Sequence, residues 1–141
     1  YTQLLPKFYI PAHDRPVVNE GTKMRPDFVF SLEDEAAGFR EELKHQSSSA
    51  WLAYEDALAD GIAHEVARMV LPVNVYSQMY WTVNARSLMN FLSLRVESDD
   101  SAVRSYPQLE IQLGAMQVEA VFAQQMPLTH AAFVANGRVA P

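Results

Sequence analysis

The spacing of apolar residues predicts a long helix in the first half of the chain. Ser31 opens the stretch SLED, in which an N-cap residue precedes acidic residues that suit the positive end of a helix. Apolar residues then recur close to helical spacing from Ala36 to Leu58. We expect the three serines at 47–49 to break or loosen this helix in its middle, and Gly61 is placed to cap its C-terminus.

A second helix, a central strand and a third helix are predicted to follow. The second helix runs from about Ala63 to Leu71 and stops at Pro72. Residues 75–83 alternate well enough to predict a strand. This strand leads directly into the helix ARSLMNFLSLR, for which Asn84 is the expected N-cap.

The last third of the chain predicts two more helices after an exposed acidic loop, ESDDSAVRS. Pro107 suits the first turn of a helix that reaches about Gln125. The apolar face of this helix comprises Leu109, Leu113, Met116 and Ala120. We expect this face, and the long helix from about Leu32, to pack in the core or between subunits. A short helix over 127–134 and an Asn136–Gly137 turn follow.

The N-terminal residues predict extended structure rather than helix. YTQLLPKFYI indicates one or two extended segments, with Pro6 and Pro11 at their edges or ends. A proline-containing surface loop follows to about Phe30. Because no internal repeat or linker divides the chain, we expect a single domain over residues 1–141. Its predicted class is α+β, mainly helical, with an N-terminal extended segment and a central strand.

Composition narrows the classes of protein that fit. Of 141 residues, 49% are hydrophobic and 20% charged, which is typical of a globular protein. The net charge of -6 offers no basic excess for a nucleic-acid partner. Cysteine is absent, which excludes disulfides and thiolate nucleophiles within these residues and agrees with a cytoplasmic location. No apolar run approaches the roughly 20 residues of a membrane span.

Several familiar catalytic and metal-binding motifs are absent from these residues. His64–Glu65 resembles the start of the zinc motif HExxH, but Arg68 stands where the second histidine belongs, so we expect no metal site there. His13, His45 and His130 are isolated, and we expect ordinary surface or capping roles for them. The chain also has no glycine-rich dinucleotide or phosphate loop and no GxSxG element.

The start of the ARSLMNFLSLR helix is the best candidate for a ligand site. A helix N-terminus offers free backbone N–H groups and the positive end of the helix dipole. Arg86 and Asn90 are four residues apart and therefore share one face, where a planar cation and an amide can bind a phosphate, a ring carbonyl or an imide edge. Arg95 lies about half a turn away in azimuth and must serve a different contact.

Structural roles explain the same residues without a ligand. Asn84 can act only as a cap. A cation is favoured at a helix C-terminus, where Arg95 lies. Arg68, in the mostly apolar VARMVLP, can pair with an acid such as Glu65 or Glu110. Residue chemistry alone therefore leaves these alternatives open.

The run HEVARMVLPVNVYSQMYWTVNARSLMNFLSLR resembles the signature core of the flavin-dependent thymidylate synthases. The resemblance continues in SYPQLEI at 105–111 and in YTQLLPKFYIP at the N-terminus, and it is weaker at about 13–60 and 97–104. The element NARSLMNFLSLR is long and unusual in composition, which makes the resemblance specific.

The resemblance implies an enzyme that methylates dUMP to dTMP. Methylenetetrahydrofolate would supply the carbon, and FAD reduced by NADPH would supply the hydride. The resemblance also implies a homotetramer whose active sites are assembled from several subunits, and a flavin held without a Rossmann motif.

The resemblance assigns roles to particular residues by position. The positions that match FAD contacts are Asn84, Ala85, Arg86 and Asn90. Arg95 matches the catalytic arginine that contacts the pyrimidine of dUMP and favours its N3-ionised form, and Arg68 matches a second dUMP-binding arginine.

The chain departs from the family pattern in two places. Tyr1 matches the last residue of the family motif RHRxxSxNExSxRY, so we expect this chain to be the C-terminal part of such an enzyme and not to build a complete active site by itself. Tyr106 stands where many members have a histidine, and an extra acidic loop of about 96–104 precedes it. The rival hypotheses are a non-catalytic structural or nucleotide-binding remnant of the same fold, and a different flavoenzyme on the same scaffold.

Overall fold

The computed structural model describes residues 3–30 and 33–141, with the backbone alone at 33–35. It is mainly helical with one small two-stranded sheet. The chain forms two compact units, one comprising Tyr1–Thr22 and Asp27–Met79, the other Lys23–Pro26 and Tyr80–Pro141. The single-domain organisation stays a prediction.

The first unit is built on one long helix, α1 (Glu33–Ala59). The predicted break at 47–49 is wrong, because the helix runs through the serines without interruption. Ser48 donates its hydroxyl proton to the Lys44 carbonyl oxygen one turn back, at 2.9 Å. Ser47 is buried and accepts a hydrogen bond from the Asn74 amide at 3.1 Å. Both hydroxyl groups are therefore satisfied within the helical geometry. The predicted N-cap, Ser31, lies outside the described residues.

The predicted cap at Gly61 is confirmed. Gly61 has φ 81, a left-handed conformation that costs glycine little. Its N–H bonds to the Leu58 carbonyl oxygen at 3.1 Å, and the next N–H, of Ile62, reaches back to Ala57 at 3.0 Å. This pair of bonds is the Schellman arrangement, which satisfies carbonyl groups at the end of α1.

The helix predicted over 63–71 is shorter than expected. It consists of α2 (His64–Ala67) and a following 3-10 turn, Arg68–Val70. The backbone is extended at Leu71, as the following Pro72 requires.

The N-terminal segment is extended and lies against α1. Its Phe8 forms an isolated antiparallel bridge with Val75, and its ring packs edge-on against Trp51 at 6.3 Å. Trp51 and Tyr54 are the large residues of the core of this unit. Arg40 on α1 is buried and donates to the carbonyl oxygens of residues 11 and 12 at 2.9 and 2.8 Å.

The region predicted as a surface loop contains a short hairpin. Its two strands, β1 (Val18–Asn19) and β2 (Phe28–Val29), pair antiparallel. The Asn19 side-chain oxygen accepts bonds from Gly21 and Asp27 at 3.0 and 2.9 Å, which holds the turn together. Two-residue strands are too short to produce an alternating sequence pattern.

The prediction of a central strand over residues 75–83 is wrong. The backbone there is not assigned to a strand, apart from the bridge at Val75. Tyr76 donates its N–H to the Lys7 carbonyl oxygen at 2.8 Å, and no ladder continues beyond it in the described part of the chain. Alternation predicts which side chains share a face, but a strand also needs a partner for its backbone groups.

The second unit packs three helices around one core. They are α3 (Ala85–Arg95), α4 (Leu109–Gln125) and α5 (Pro127–Ala135), close to the predicted bounds. Their buried residues form one cluster, comprising Met89, Leu92, Val96, Ala115, Phe122 and Phe133. None of the helices described over residues 3–30 and 33–141 is long and apolar enough to cross a membrane.

The predicted apolar face of α4 does not form this core. Leu109, Leu113 and Met116 are exposed, and the helix instead buries Ala115 and Phe122 on another side. Since α4 carries apolar residues on both sides, its sequence pattern could not identify which side faces the core of this unit.

Candidate functional site

The start of α3 is fixed by the cap that the sequence predicts. Asn84 has extended backbone angles, φ -79 and ψ 162, and its side-chain oxygen accepts a bond from the Ser87 N–H at 2.9 Å. Met89 and Leu92 then anchor one side of the helix in the core. The packed core therefore holds α3 in place, and side chains on its opposite side are presented from a rigid helix.

The outward surface of α3 carries Arg86 and Asn90. Both side chains are exposed, and a spacing of four residues places them about 40° apart around the helix. They therefore form one polar surface beside the helix N-terminus, as the sequence predicts. We call Arg86, Asn90 and the capping Asn84 the amide–arginine face.

The charge of this face is uncompensated among the residues the structure describes. The first turn of α3 contains no acidic residue, and Arg86 forms no ion pair with any described side chain. Arg86 also opposes the helix dipole, which costs stability. The Asn84 oxygen is used by the cap, but its NH2 group is left to donate. The face thus offers hydrogen-bond donors and positive potential to an anion or a carbonyl-rich ring.

Arg95 ends α3 on another side of the helix. Nine residues separate it from Arg86, which corresponds to about half a turn in azimuth and about 13 Å along the axis. Arg95 is exposed, whereas the next residue, Val96, is 7% exposed and belongs to the core. The structure therefore places Arg86 and Asn90 together and Arg95 apart from them.

Two further residues predicted by resemblance have different settings. Ala85 begins α3 and is half-buried against the core. Arg68 is exposed and begins the 3-10 turn of the first unit.

The loop after α3 is held by its own side chains. Arg104 donates to the Glu97 carboxylate at 2.8 Å, and its guanidinium lies 5.5 Å from the centre of the Tyr106 ring. The hydrogen bond that Arg104 donates to Glu97 raises the pKa of Arg104. Because both charged groups are exposed, this ion pair contributes little stability.

A partly buried ionic cluster in the second unit is a feature that the sequence does not predict. Arg138 donates two hydrogen bonds to the Glu119 carboxylate, each 2.7 Å long, and is 6% exposed. His130 lies 2.9 Å from the same carboxylate, so its predicted role as an isolated surface or capping residue is wrong. Glu119 and Arg138 are 19 residues apart in the sequence, and no local sequence signal predicts a contact at that separation.

The electrostatics of Glu119 follow from its partners. Burial raises the pKa of the carboxyl group, but the hydrogen bonds from Arg138 and His130 outweigh that effect. The pKa of Glu119 is therefore lowered from its ordinary value, and the group is ionised at neutral pH. Among the described residues, no group of three or more acidic or histidine side chains is arranged to hold a metal ion.

Comparison with known proteins places this architecture in a family. The family described as thymidylate synthase complementing protein (Thy1) matches residues 1–128. A flavin-dependent thymidylate synthase of Tropheryma whipplei (strain TW08/27) is 49% identical over 141 residues, which is 100% of this chain and 59% of the relative. One from Streptomyces coelicolor is 45% identical over the same share of this chain and 57% of its own length.

Two solved structures have the same fold as this chain. A crystal structure of a UMP/dUMP methylase PolB from Streptomyces cacaoi, bound with 5-Br UMP, superposes with a TM-score of 0.91 at 41% sequence identity. That likeness covers 100% of this chain and 63% of the solved chain. The structure of PolB bound with 5-Br dUMP gives a TM-score of 0.88.

The chain therefore belongs to the Thy1 family of thymidylate synthase complementing proteins. The resemblance that the NARSLMNFLSLR element carries is confirmed. The chain spans about three fifths of the length of the curated relatives it matches.

Proposed function

We propose that the protein is a flavin-dependent thymidylate synthase that methylates dUMP to dTMP. The observation that carries this proposal is helix α3, which has the uncompensated amide–arginine face at its N-terminal end and a separate exposed arginine, Arg95, on another side at its C-terminal end. Relatives up to 49% identical bear the name flavin-dependent thymidylate synthase, which favours the enzyme over a non-catalytic remnant.

The amide–arginine face fits a flavin cofactor. FAD carries a pyrophosphate and a ring system with carbonyl oxygen atoms, and both need donors. Arg86 supplies a planar fork for the phosphate or a ring carbonyl, and the amide of Asn90 can donate beside it. Asn84 and the backbone of Ala85 complete this set at the positive end of the helix. We infer that these four residues hold the flavin.

Arg95 is the proposed catalytic residue. For C5 of uracil to attack a carbon donor, the ring must become electron-rich, and the described chain has no cysteine that could add at C6. A guanidinium beside N3 and O4 stabilises the anion formed when N3 loses its proton. Arginine suits this role because it stays protonated at every relevant pH. Arg68 is proposed to bind dUMP as a second cation.

Family membership supports our proposals for the remaining reactants and for the assembly. When bound, FAD reduced by NADPH supplies the hydride, and methylenetetrahydrofolate supplies the carbon. We propose a cytoplasmic homotetramer with shared active sites. Exposed apolar residues on α4, among them Leu113, Met116 and Val121, support burial against further protein.

The test is product formation by the full-length protein. We expect dTMP to form from dUMP only when methylenetetrahydrofolate and NADPH are supplied and FAD is bound. The solved relative is described as a UMP/dUMP methylase, so UMP is tested in parallel as the second candidate substrate. If the protein methylated UMP but not dUMP, UMP would replace dUMP as the proposed substrate. Oxidation of reduced flavin that depends on dUMP but gives no methylated product would favour a different flavoenzyme.

A further inference from the structure

The turn that follows α5 has an unusual backbone. Gly137 and Arg138 both have positive φ, 67 and 57, and Arg138 is the one non-glycine residue with this conformation in the described ranges. Such a conformation is unfavourable for a residue with a side chain and persists where surrounding contacts enforce it. We call residues 136–138 the C-terminal turn.

The contacts that enforce the turn are strong. The Arg138 guanidinium is locked onto Glu119 of α4 by two bonds of 2.7 Å and lies 5.1 Å from the centre of the Phe133 ring. Its backbone N–H also bonds to the Phe133 carbonyl oxygen at 2.9 Å. The cost of the left-handed backbone is thus offset by a buried, bidentate ion pair.

The C-terminal turn, held in this conformation, binds the loop that follows α3. The Ala102 N–H donates to the Gly137 carbonyl oxygen at 2.8 Å. A β-carbon added at Gly137 would lie 2.9 Å from that of Ala102, so the loop is seated where glycine lacks a side chain. The absence of a side chain is therefore required by contact as well as by backbone conformation.

The residues on either side of the C-terminal turn pack against the end of α3. Val96, directly after Arg95, is buried in the cluster that also contains Phe133, and Ala140 packs against the same cluster. The exposed guanidinium of Arg95 has no hydrogen bond or ion pair with any described side chain. Its location consequently depends on the backbone beneath it.

We propose that Gly137 and Arg138 are positioning residues that place Arg95 for the nucleotide. The C-terminal turn fixes the 97–104 loop, and the loop with Val96 fixes the last turn of α3. This inference rests on the proposed function, because it assumes that Arg95 contacts dUMP. It also gives the acidic loop a role, which is to set the direction of the helix end.

The decisive variant is Gly137→Ala in the full-length protein. We expect faster hydrogen exchange at the Ala102 amide and a Kd for dUMP that is roughly ten- to a hundredfold higher, since small displacements of a binding group reduce binding and rate by such factors. Flavin content per protomer should not change. Ala102→Gly in the same protein should restore part of the affinity, because it removes the β-carbon that the new side chain meets.

Gly61→Ala is the matched control. Gly61 also has a positive φ, 81, but nothing lies within 4 Å of an added β-carbon. It therefore imposes a similar backbone cost without the collision, and we expect unchanged dUMP affinity. If Gly137→Ala does not fold, Arg138→Lys keeps the charge, loses the bidentate fork and should shift the same two readouts in the same direction.

Each outcome decides the proposal. Faster exchange at Ala102 together with weaker dUMP binding supports it. A lower melting temperature with unchanged dUMP affinity would show that the turn is merely structural, and unchanged exchange at Ala102 would show that the turn does not hold the loop. A wild-type protein that binds no dUMP overturns the proposed function, and the exchange of the Ala102 amide still decides whether the turn holds the loop.

Discussion

The C-terminal turn and the exposed sides of α3 use arginine in opposite ways. Arg138 is buried and gives both terminal nitrogen atoms to one carboxylate. Arg86 and Arg95 are exposed and have no ion pair among the described side chains. A buried cation must be paired for the fold to be stable, whereas an exposed one can be reserved for a ligand.

This contrast separates the buried, paired arginine from the exposed arginines that are proposed to bind ligands, within one unit. Loss of Arg138 should therefore affect stability first, and loss of Arg86 or Arg95 should affect ligands with little effect on stability. Substitutions of these arginines test that separation.

Arg138→Ala is expected to have the largest effect. It leaves the mostly buried Glu119 carboxylate without its main partner, which costs up to about 3–5 kcal/mol of unfolding free energy. Denaturant unfolding followed by circular dichroism measures this loss. Arg104→Ala is the control, since its exposed ion pair should contribute no more than about 1 kcal/mol. Equal losses in the two variants would contradict the distinction between buried and exposed pairs.

Arg95→Ala should nearly abolish dTMP formation while flavin stays bound. Removing one group that stabilises developing charge lowers kcat by about 10²–10³-fold. The measurement is the initial rate of dTMP formation, with flavin content recorded beside it. Lys44→Ala, which removes an exposed positive charge from α1, should leave the rate unchanged. Normal turnover by Arg95→Ala would refute the activation role.

Arg86→Ala should raise the Kd for FAD roughly 10- to 100-fold, the value expected for losing hydrogen bonds to a charged partner. The absorbance of flavin that remains with the purified protein reports this directly. Stability should change little, because Arg86 has no described partner and opposes the helix dipole. Unchanged flavin content would remove Arg86 from the cofactor site.

Acidification should weaken the C-terminal turn only at low pH. The folded-state pKa of Glu119 is lowered below its ordinary 4.5, so its contribution to stability is fully present above that value. The contribution is lost as the pH falls through the folded-state pKa. The melting temperatures of wild type and Glu119→Gln should therefore differ at neutral pH and converge in acid. A difference that stays constant with pH would argue against an ionised Glu119.

Local signals in the sequence predicted much of the helical structure. Asn84 and Gly61 mark helix ends because their side-chain and backbone chemistry acts within a few residues. Pro107 was predicted in the first turn of α4 but lies just before the N-cap, Gln108. The shared face of Arg86 and Asn90 also follows from helical spacing alone. These features depend only on neighbouring residues.

The features that the sequence could not predict depend on distant partners. The segment 75–83 alternates as a strand does, but a ladder needs a second segment that pairs with it. The apolar residues of α4 occur on two sides, so packing decides which side is buried. Glu119 and Arg138 meet only because α4 and α5 pack together. In each case the missing information is tertiary contact.

The most direct test of the proposed site on α3 is the flavin absorbance spectrum of the full-length protein, recorded with and without dUMP. If the exposed sides of α3 hold both a flavin and a nucleotide, the protein should purify with or take up FAD, and dUMP should shift its spectrum. Arg86→Ala should lose the flavin, and Arg95→Ala should keep the flavin but lose the shift. A wild-type protein that binds no flavin, or whose flavin spectrum does not respond to dUMP, would contradict the proposed site.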